Sequence, residues 1–421
     1  MKRIVKRLGL IFGILLVLLF GGLSLILTFF QEDIGQQVVA AVNGQLKTEM
    51  QVGGFDLTLI RTFPNIGVNL QDVTVLGTDA EPLIEAGELS FRAGLFSLLS
   101  DALQLKSVVL QDAALHLSID RNGHANYDIF LDSEPASAED AGSNARISLG
   151  EAIVRNLAIS YEDEQAEQDA RVQVHKASFE GDFGSTHFRL ISRAKSQIDH
   201  LVSGGEPLLE GQSFNYEADI DIDNEAGNYT IEQVVIEVGG LPLEVKGKAQ
   251  SQGKATALDF QFNSEDGTLT EVLALIPGSY QEALRGIESR GDFELSGIIK
   301  GLYSDTQQPA VQANLRFANG RLSGERIFAK VRDLGFTAQF TNGKDRNNRT
   351  TSLRIDNFTG SMDGEPFNMQ LWIKNLDDPT IDFRADGYLP PGLLLGFIPD
   401  ERITDAEGMI RIQDLRLQGR Y

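Results

Sequence analysis

Val311-Gln-Ala-Asn-Leu-Arg-Phe317 puts an apolar side chain at every second position and a polar one between most of them. In an extended chain successive side chains point to opposite sides, so the stretch has one greasy face and one wet face. Asp219-Ile-Asp-Ile-Asp223, Leu258-Asp-Phe-Gln-Phe262 and Ile381-Asp-Phe-Arg-Ala385 repeat the alternation. This is the pattern of an antiparallel sheet with one solvated side. From about Gly53 onward it dominates, so the chain reads as mainly β. Glycine is frequent (42 residues) and proline sparse (12), which suits turns and bulges. Helical interruptions are few, with candidates at Ala93–Leu103 and Leu269–Ile276. Ser133 to Ala145 has the composition of a flexible linker.

Two repeats run through the β region. The short one, apolar-x-(Asp/Asn)-apolar-x-apolar, occurs at Leu70–Val75, Leu110–Leu115, Val154–Ile159, Val331–Phe336 and Ile412–Leu417. On an ideal strand Leu70 and Val75 would face opposite ways. One extra residue returns both halves to one face, and Asp or Asn tolerates the backbone this needs better than most residues. A bulge or kink is therefore predicted near Asp72, Asp112, Asn156, Asp333 and Asp414. Calcium-binding or catalytic aspartates are the alternative; these five are far apart in sequence and lack companion ligands. The long repeat reads strand, short helix stopped at Ile-Pro, then Gly and a new strand. It is found once around Ile276-Pro277 and again around Ile398-Pro399. Repetition on this scale predicts a body that grows by adding strands.

The N-terminus has a different character. Lys2, Arg3, Lys6 and Arg7 precede an uncharged apolar run from Leu8 to Phe30 that includes Leu15, Leu19 and Leu25. At about 1.5 Å per residue the run is ~34 Å long, enough to cross a hydrocarbon core. A cleaved signal peptide is the competing reading, but its apolar region is shorter, and Thr28–Glu32 holds no small-x-small cleavage site. A retained anchor is predicted, with the basic tail cytoplasmic and the body beyond the membrane. Ile34, Val38, Val42 and Leu46 then recur at spacing four, predicting an amphipathic helix that lies on the membrane, plugs one end of the body, or simply connects.

The formal charge is −23, from 37 Lys+Arg and 60 Asp+Glu. With four basic residues in the first seven positions, the remainder is more acidic still. Such a body repels phosphate backbones, which argues against a nucleic-acid partner, and it resists broad adsorption to anionic headgroups. The absence of cysteine removes disulfides, thiolate metal sites and a cysteine nucleophile. The histidines (His116, His124, His175, His187, His200) show no metal-binding spacing, and there is no nucleophile elbow or phosphate loop. Asp219, Asp221 and Asp223 open like a calcium loop, but Asn224 and Thr230 stand where Gly and Glu belong. Trp372 in Leu371-Trp-Ile373 reads as a packing residue. Neither an enzyme activity nor a cofactor is expected.

The anchor, Phe63–Val75, Ala86–Leu105, Ser118–Tyr127 and the Ile-Pro and Gly units, in this order, resemble the AsmA family of Gram-negative envelope proteins, in the form common among Bacteroidetes-like sequences. The resemblance covers most of the chain. It implies an inner-membrane anchor, a periplasmic body and a role in phospholipid movement and outer-membrane biogenesis, as for relatives such as TamB and the bridge-like lipid transfer proteins. It also implies an elongated β-sheet curled into an open trough with an apolar interior. The expected organisation is a cytoplasmic tail (1–7), anchor (8–30), connecting helix (31–50), N-terminal β region (51–132), linker (133–148), middle β region (149–254) and a region with the two repeat units (255–421).

Acyl chains lying on the apolar face would gain roughly 0.8 kcal/mol per shielded CH₂. The candidate lining residues are Phe260, Phe262, Phe293, Leu295, Leu315, Phe317, Phe336, Phe340, Ile381 and Phe383. On pattern alone the same residues could fill a closed sandwich; the resemblance favours the open groove. The expected partners are phospholipid or other lipid acyl chains and the inner membrane. An envelope scaffold that contacts outer-membrane assembly proteins is the alternative.

Overall fold

The computed structural model describes residues 35–36, 39–40, 42–58, 65–94, 104–131, 148–274, 288–304, 306–323, 330–389 and 408–420. The expected anchor, with Leu8, Leu15, Leu19, Leu25 and Phe30, lies outside them, as do the linker at 133–145 and both Ile-Pro pairs, Ile276-Pro277 and Ile398-Pro399. No helix among the described residues is long and apolar enough to cross a membrane. The chain divides into two compact units, Met1–Asn215 and Tyr216–Tyr421.

In the first unit helical residues reach Asn43, where the last turn tightens (Gln45 N to Val42 O 2.9 Å, Leu46 N to Asn43 O 3.2 Å). The connecting helix is therefore shorter than the sequence pattern predicts. Its Asn43 side chain brackets the start of the first strand, accepting from Met50 N and donating to Met50 O. Leu46 is buried, whereas Val42 of the same predicted stripe is exposed. Then come β1 (Met50–Thr58), β2 (Asn65–Leu76), β3 (Pro82–Gly94), β4 (Gln104–Ile119), β5 (Ser148–Leu149), β6 (Glu151–Asp163), β7 (Gln168–Glu180), β8 (His187–Ser203) and β9 (Glu206–Asp223), within which the boundary between the units falls. The helix expected from Ala93 does not begin there, because Ala93 and Gly94 close β3.

Consecutive strands pair antiparallel from β1 to β4 and from β6 to β8. β4 departs from the antiparallel expectation: it runs parallel to the short β5 (Gln104↔Ser148, Leu105↔Leu149) and to β6, from Val108↔Ala152 to Ile119↔Asp163. A parallel neighbour requires the chain to return to the end it left, which takes a long connection. Here that connection includes the Asp120–His124 turn and the linker segment. Leu70, Val73, Ala113 and Leu157 anchor the core of this unit.

The second unit continues with β10 (Asn228–Val238), β11 (Leu241–Gln252), β12 (Ala255–Ser264), a short helix α1 (Leu269–Ala274), β13 (Glu288–Tyr303), β14 (Ala310–Ser323), β15 (Val331–Thr341), β16 (Ser352–Met362), β17 (Glu365–Lys374), β18 (Thr380–Leu389) and β19 (Ile410–Arg420). Every strand from β10 to β19 pairs antiparallel with the next in sequence. The alternating segments of the sequence fall in β9, β12, β14 and β18. Tight hairpins carry the required turn chemistry: Gly239-Gly240 (φ 57° and 90°) joins β10 to β11, and Asp363-Gly364 (φ 51° and 95°) joins β16 to β17. Two successive positive φ angles match the right-handed twist of the strands they connect. Among the described residues β19 pairs with β18.

Candidate functional site

All ten residues singled out as a lining lie on one face of the second unit. The register places Leu295, Leu315, Ala338, Ile355, Leu371, Phe383 and Leu417 opposite one another across β13 to β19. A neighbouring row runs Phe262, Gly297, Ala313, Phe340, Leu353, Ile373 and Ile381. A third joins Phe293, Phe317 and Phe336. Aromatic rings continue it, Phe336 stacking on Phe358 at 5.2 Å and Phe358 meeting Phe367 at 6.1 Å.

Burial is uneven along these rows. Phe293, Phe317, Phe336 and Phe383 are buried, while Phe260, Phe262, Leu295, Leu315, Phe340 and Ile381 are half-buried. Leu353, Phe358, Phe367, Met369, Leu371 and Leu417 share the face and were not singled out from sequence. The alternation in Phe367-Asn-Met-Gln-Leu-Trp-Ile373 was the available signal. Among the described residues each strand touches its sheet neighbours, and the largest packing contact from outside the sheet is α1 on β13. Through Leu269, Val272 and Leu273, α1 packs against the cluster that holds Leu241 and Phe293. No described sheet covers the rest of the face.

Glycines shape this surface. A β-carbon at Gly297 would overlap the Phe262 ring, and one at Gly320 would overlap the Phe317 ring. Phe367 has Gly360 opposite it on β16 and Gly387 opposite it on β18. The rings lie over backbone that has no side chain of its own, as when an aromatic side chain covers a cross-strand glycine.

The opposite face carries the charge. Lys300 pairs with Asp259 across β12 and β13 at 2.8 Å, and Arg416 with Asp382 across β18 and β19 at 2.9 Å. The Arg416 hydrogen bond holds the Asp382 carboxyl below its ordinary range. Trp372 also lies on this outer face, with the Lys374 ammonium 3.3 Å from its ring centroid. It packs, but beneath a cation rather than in a core.

The five Asp/Asn positions share one backbone state. Asp72, Asp112, Asn156, Asp333 and Asp414 have φ of 50°, 51°, 52°, 53° and 51°. At Asp333 and Asp414 the pairing register shifts, two residues facing one. Asn319 and Asn357, with φ of 53° and 54°, do the same. Their local sequences escape the motif because Gly320 and Gly360 occupy apolar places in it. In the first unit the geometry differs. Asp72, Asp112 and Asn156 fall level with one another and with Gly87 of β3, and the register stays in step through all four. From β2 through β3 and β4 to β6 no strand gains a residue on its neighbour at this level; the shift appears one pair further on, between β7 and β8 at Val174/Lys176. Leu70 and Val73, on either side of Asp72, are both buried as a result.

Side chains link this row. Asn156 Nδ2 donates to Asp112 Oδ1 at 2.7 Å, and Gln173 Nε2 to Asn156 Oδ1 at 3.0 Å. Asn156, followed by Gln111, holds the Asp112 carboxyl below its ordinary pKa. Asp72, Asp112, Asn156 and Gln173 line an open depression of about 520 Å³. Among the described residues no cluster of His, Asp and Glu is arranged to hold a metal ion. His116 Nδ1 sits 2.8 Å from Ser160 Oγ, and His124 closes on Asp120, both on the exposed surface.

A family model described as the AsmA family matches residues 1–269. The chain belongs to the AsmA family. The AsmA match spans the whole first unit and ends at Leu269, the first residue of α1. Most of the apolar rows, from β13 to β19, lie past it. No curated protein and no solved structure matches the chain.

Proposed function

We propose that this AsmA-family protein is anchored in the inner membrane, holds lipid acyl chains against the apolar face of β12–β19 in the periplasm, and assists phospholipid transfer or outer-membrane biogenesis. One observation carries the reading: rows of large apolar side chains cross several strands, half-buried, with no described second sheet over them. Water against such a surface is costly, and acyl chains relieve that cost at roughly 25 cal/mol per Å² covered. Charged headgroups would remain in water. Moving a chain between bilayer and sheet exchanges one apolar environment for another, so transfer needs no bond chemistry.

Mass spectrometry of the full chain after gentle detergent extraction tests this. Phospholipid should co-purify reproducibly with the natural protein. Leu371→Asp places a carboxylate mid-row between Ile355 and Phe383 and should lower the bound lipid several-fold while far-UV circular dichroism stays unchanged. A lipid-free natural protein of full stability would instead favour an envelope scaffold.

A further inference from the structure

Four of the five most exposed large apolar side chains described in the first unit belong to the two segments bonded together where the chain enters it; the fifth, Phe183, lies between β7 and β8. Phe130 is 65% exposed, Leu131 49%, Tyr127 39% and Val42 37%. They are held rigidly. Lys47 N donates to Ile129 O at 2.7 Å, Leu131 N to Gln45 O at 3.0 Å, and Leu46 forms an antiparallel bridge with Phe130. Ile129 between them is buried in the core with Leu46. Buried Asn126 fixes the approach, donating to His116 O and accepting from Ser118 N. Phe130 and Leu131 are thus presented to the outside by a segment pinned on both sides, and exposed apolar groups held this way mark a contact surface.

We infer that Tyr127, Phe130, Leu131 and Val42 form a patch that dips into the bilayer surface beside the anchor. The inference rests on the tethered reading of Leu8–Phe30. Position argues for it: the patch is bonded to Gln45 and Lys47, and Gln45 follows Phe30, the end of the apolar run, by only 15 residues. Charge agrees as well. Asp128, between Tyr127 and Ile129, is paired with Lys47 at 3.1 Å, so its charge is offset within the patch. Tyr and Phe suit the boundary between headgroups and acyl chains, where one end of a side chain is dry and the other wet.

The chain contains no cysteine, so single-cysteine variants of the full protein can carry an environment-sensitive fluorophore in phospholipid vesicles. Phe130→Cys and Leu131→Cys should emit at shorter wavelength and lose intensity when shallow nitroxide-labelled lipids are included. Lys195→Cys on exposed β8 should do neither. Leu19→Cys, in the apolar run, should be quenched by deep nitroxides. A quenched Leu19 probe with an unquenched Phe130 probe would overturn the patch and leave the tether standing. An unquenched Leu19 probe would overturn the tether. A blue shift at Phe130 without lipid quenching would mean that a protein surface, such as a second copy, covers the patch, and would overturn the bilayer contact.

Discussion

Gly297 shows how much can hang on the absence of one atom. Its neighbour across the strand pair, Phe262, occupies the volume a β-carbon would need, and the Gln312 carbonyl oxygen crowds the same space. Gly297→Ala should lower stability by about 1–3 kcal/mol through overpacking, read as an earlier urea midpoint. Phe262→Leu in the same chain should recover only part, since the carbonyl remains. Asp120 gives a second test. Its carboxylate accepts the backbone N–H groups of Asn122 and His124, each at 2.8 Å. The His124 bond foremost draws its pKa from an ordinary 3.8 to about 2. The folded value is the lower one, so the stabilising carboxylate form is fully present above 3.8, and its contribution is lost as pH falls through 2. Carboxyl NMR should place the Asp120 midpoint near 2; a midpoint near 3.8 would remove these bonds from the account. Neither feature was visible beforehand: that Phe262 faces Gly297 depends on strand register, which a single sequence does not state.

At the scale of the strand, the left-handed Asp and Asn residues decide which side of the sheet each half of a strand serves. Asp333→Ala forces a β-branchless but still hindered residue into φ 53° and should cost about 1 kcal/mol, whereas Asp333→Gly should be close to neutral. Chemical denaturation of the two variants compares them directly; equal losses would mean that the Asp333 side chain, not its backbone, matters. These positions were legible because the phase of the apolar pattern breaks there, and period two leaves no other way to keep Leu334 and Phe336 on the buried side with Val331. Asn319 and Asn357 were not legible, since a glycine in an apolar place hides the break. The connecting helix was read too long for a related reason: spacing four continues through Leu46, but Asn43 turns its side chain to the backbone of Met50 and stops the helix first.

For the molecule as a whole, the β character and the apolar face of the second unit followed from alternation alone. Ile381 and Phe383, for example, sit on the same face as Leu295 and Leu315 although long stretches of chain separate them, because consecutive pairing preserves the face. The parallel pairing of β4 and β6 was hidden, since alternation is the same for either direction and only the length of the connection hints at it. The openness of the face was equally hidden: Phe262 or Phe340 would alternate in the same way inside a sandwich.

The order of pairing in the second unit has a kinetic consequence. From β11 to β19 each strand finds a pairing partner in the one just before it. Contacts so close in sequence cost little loop entropy to form. A nascent chain can therefore lay down this unit vectorially, strand upon strand as it leaves a ribosome or a translocation pore, with a single growing edge to shield from aggregation at any moment.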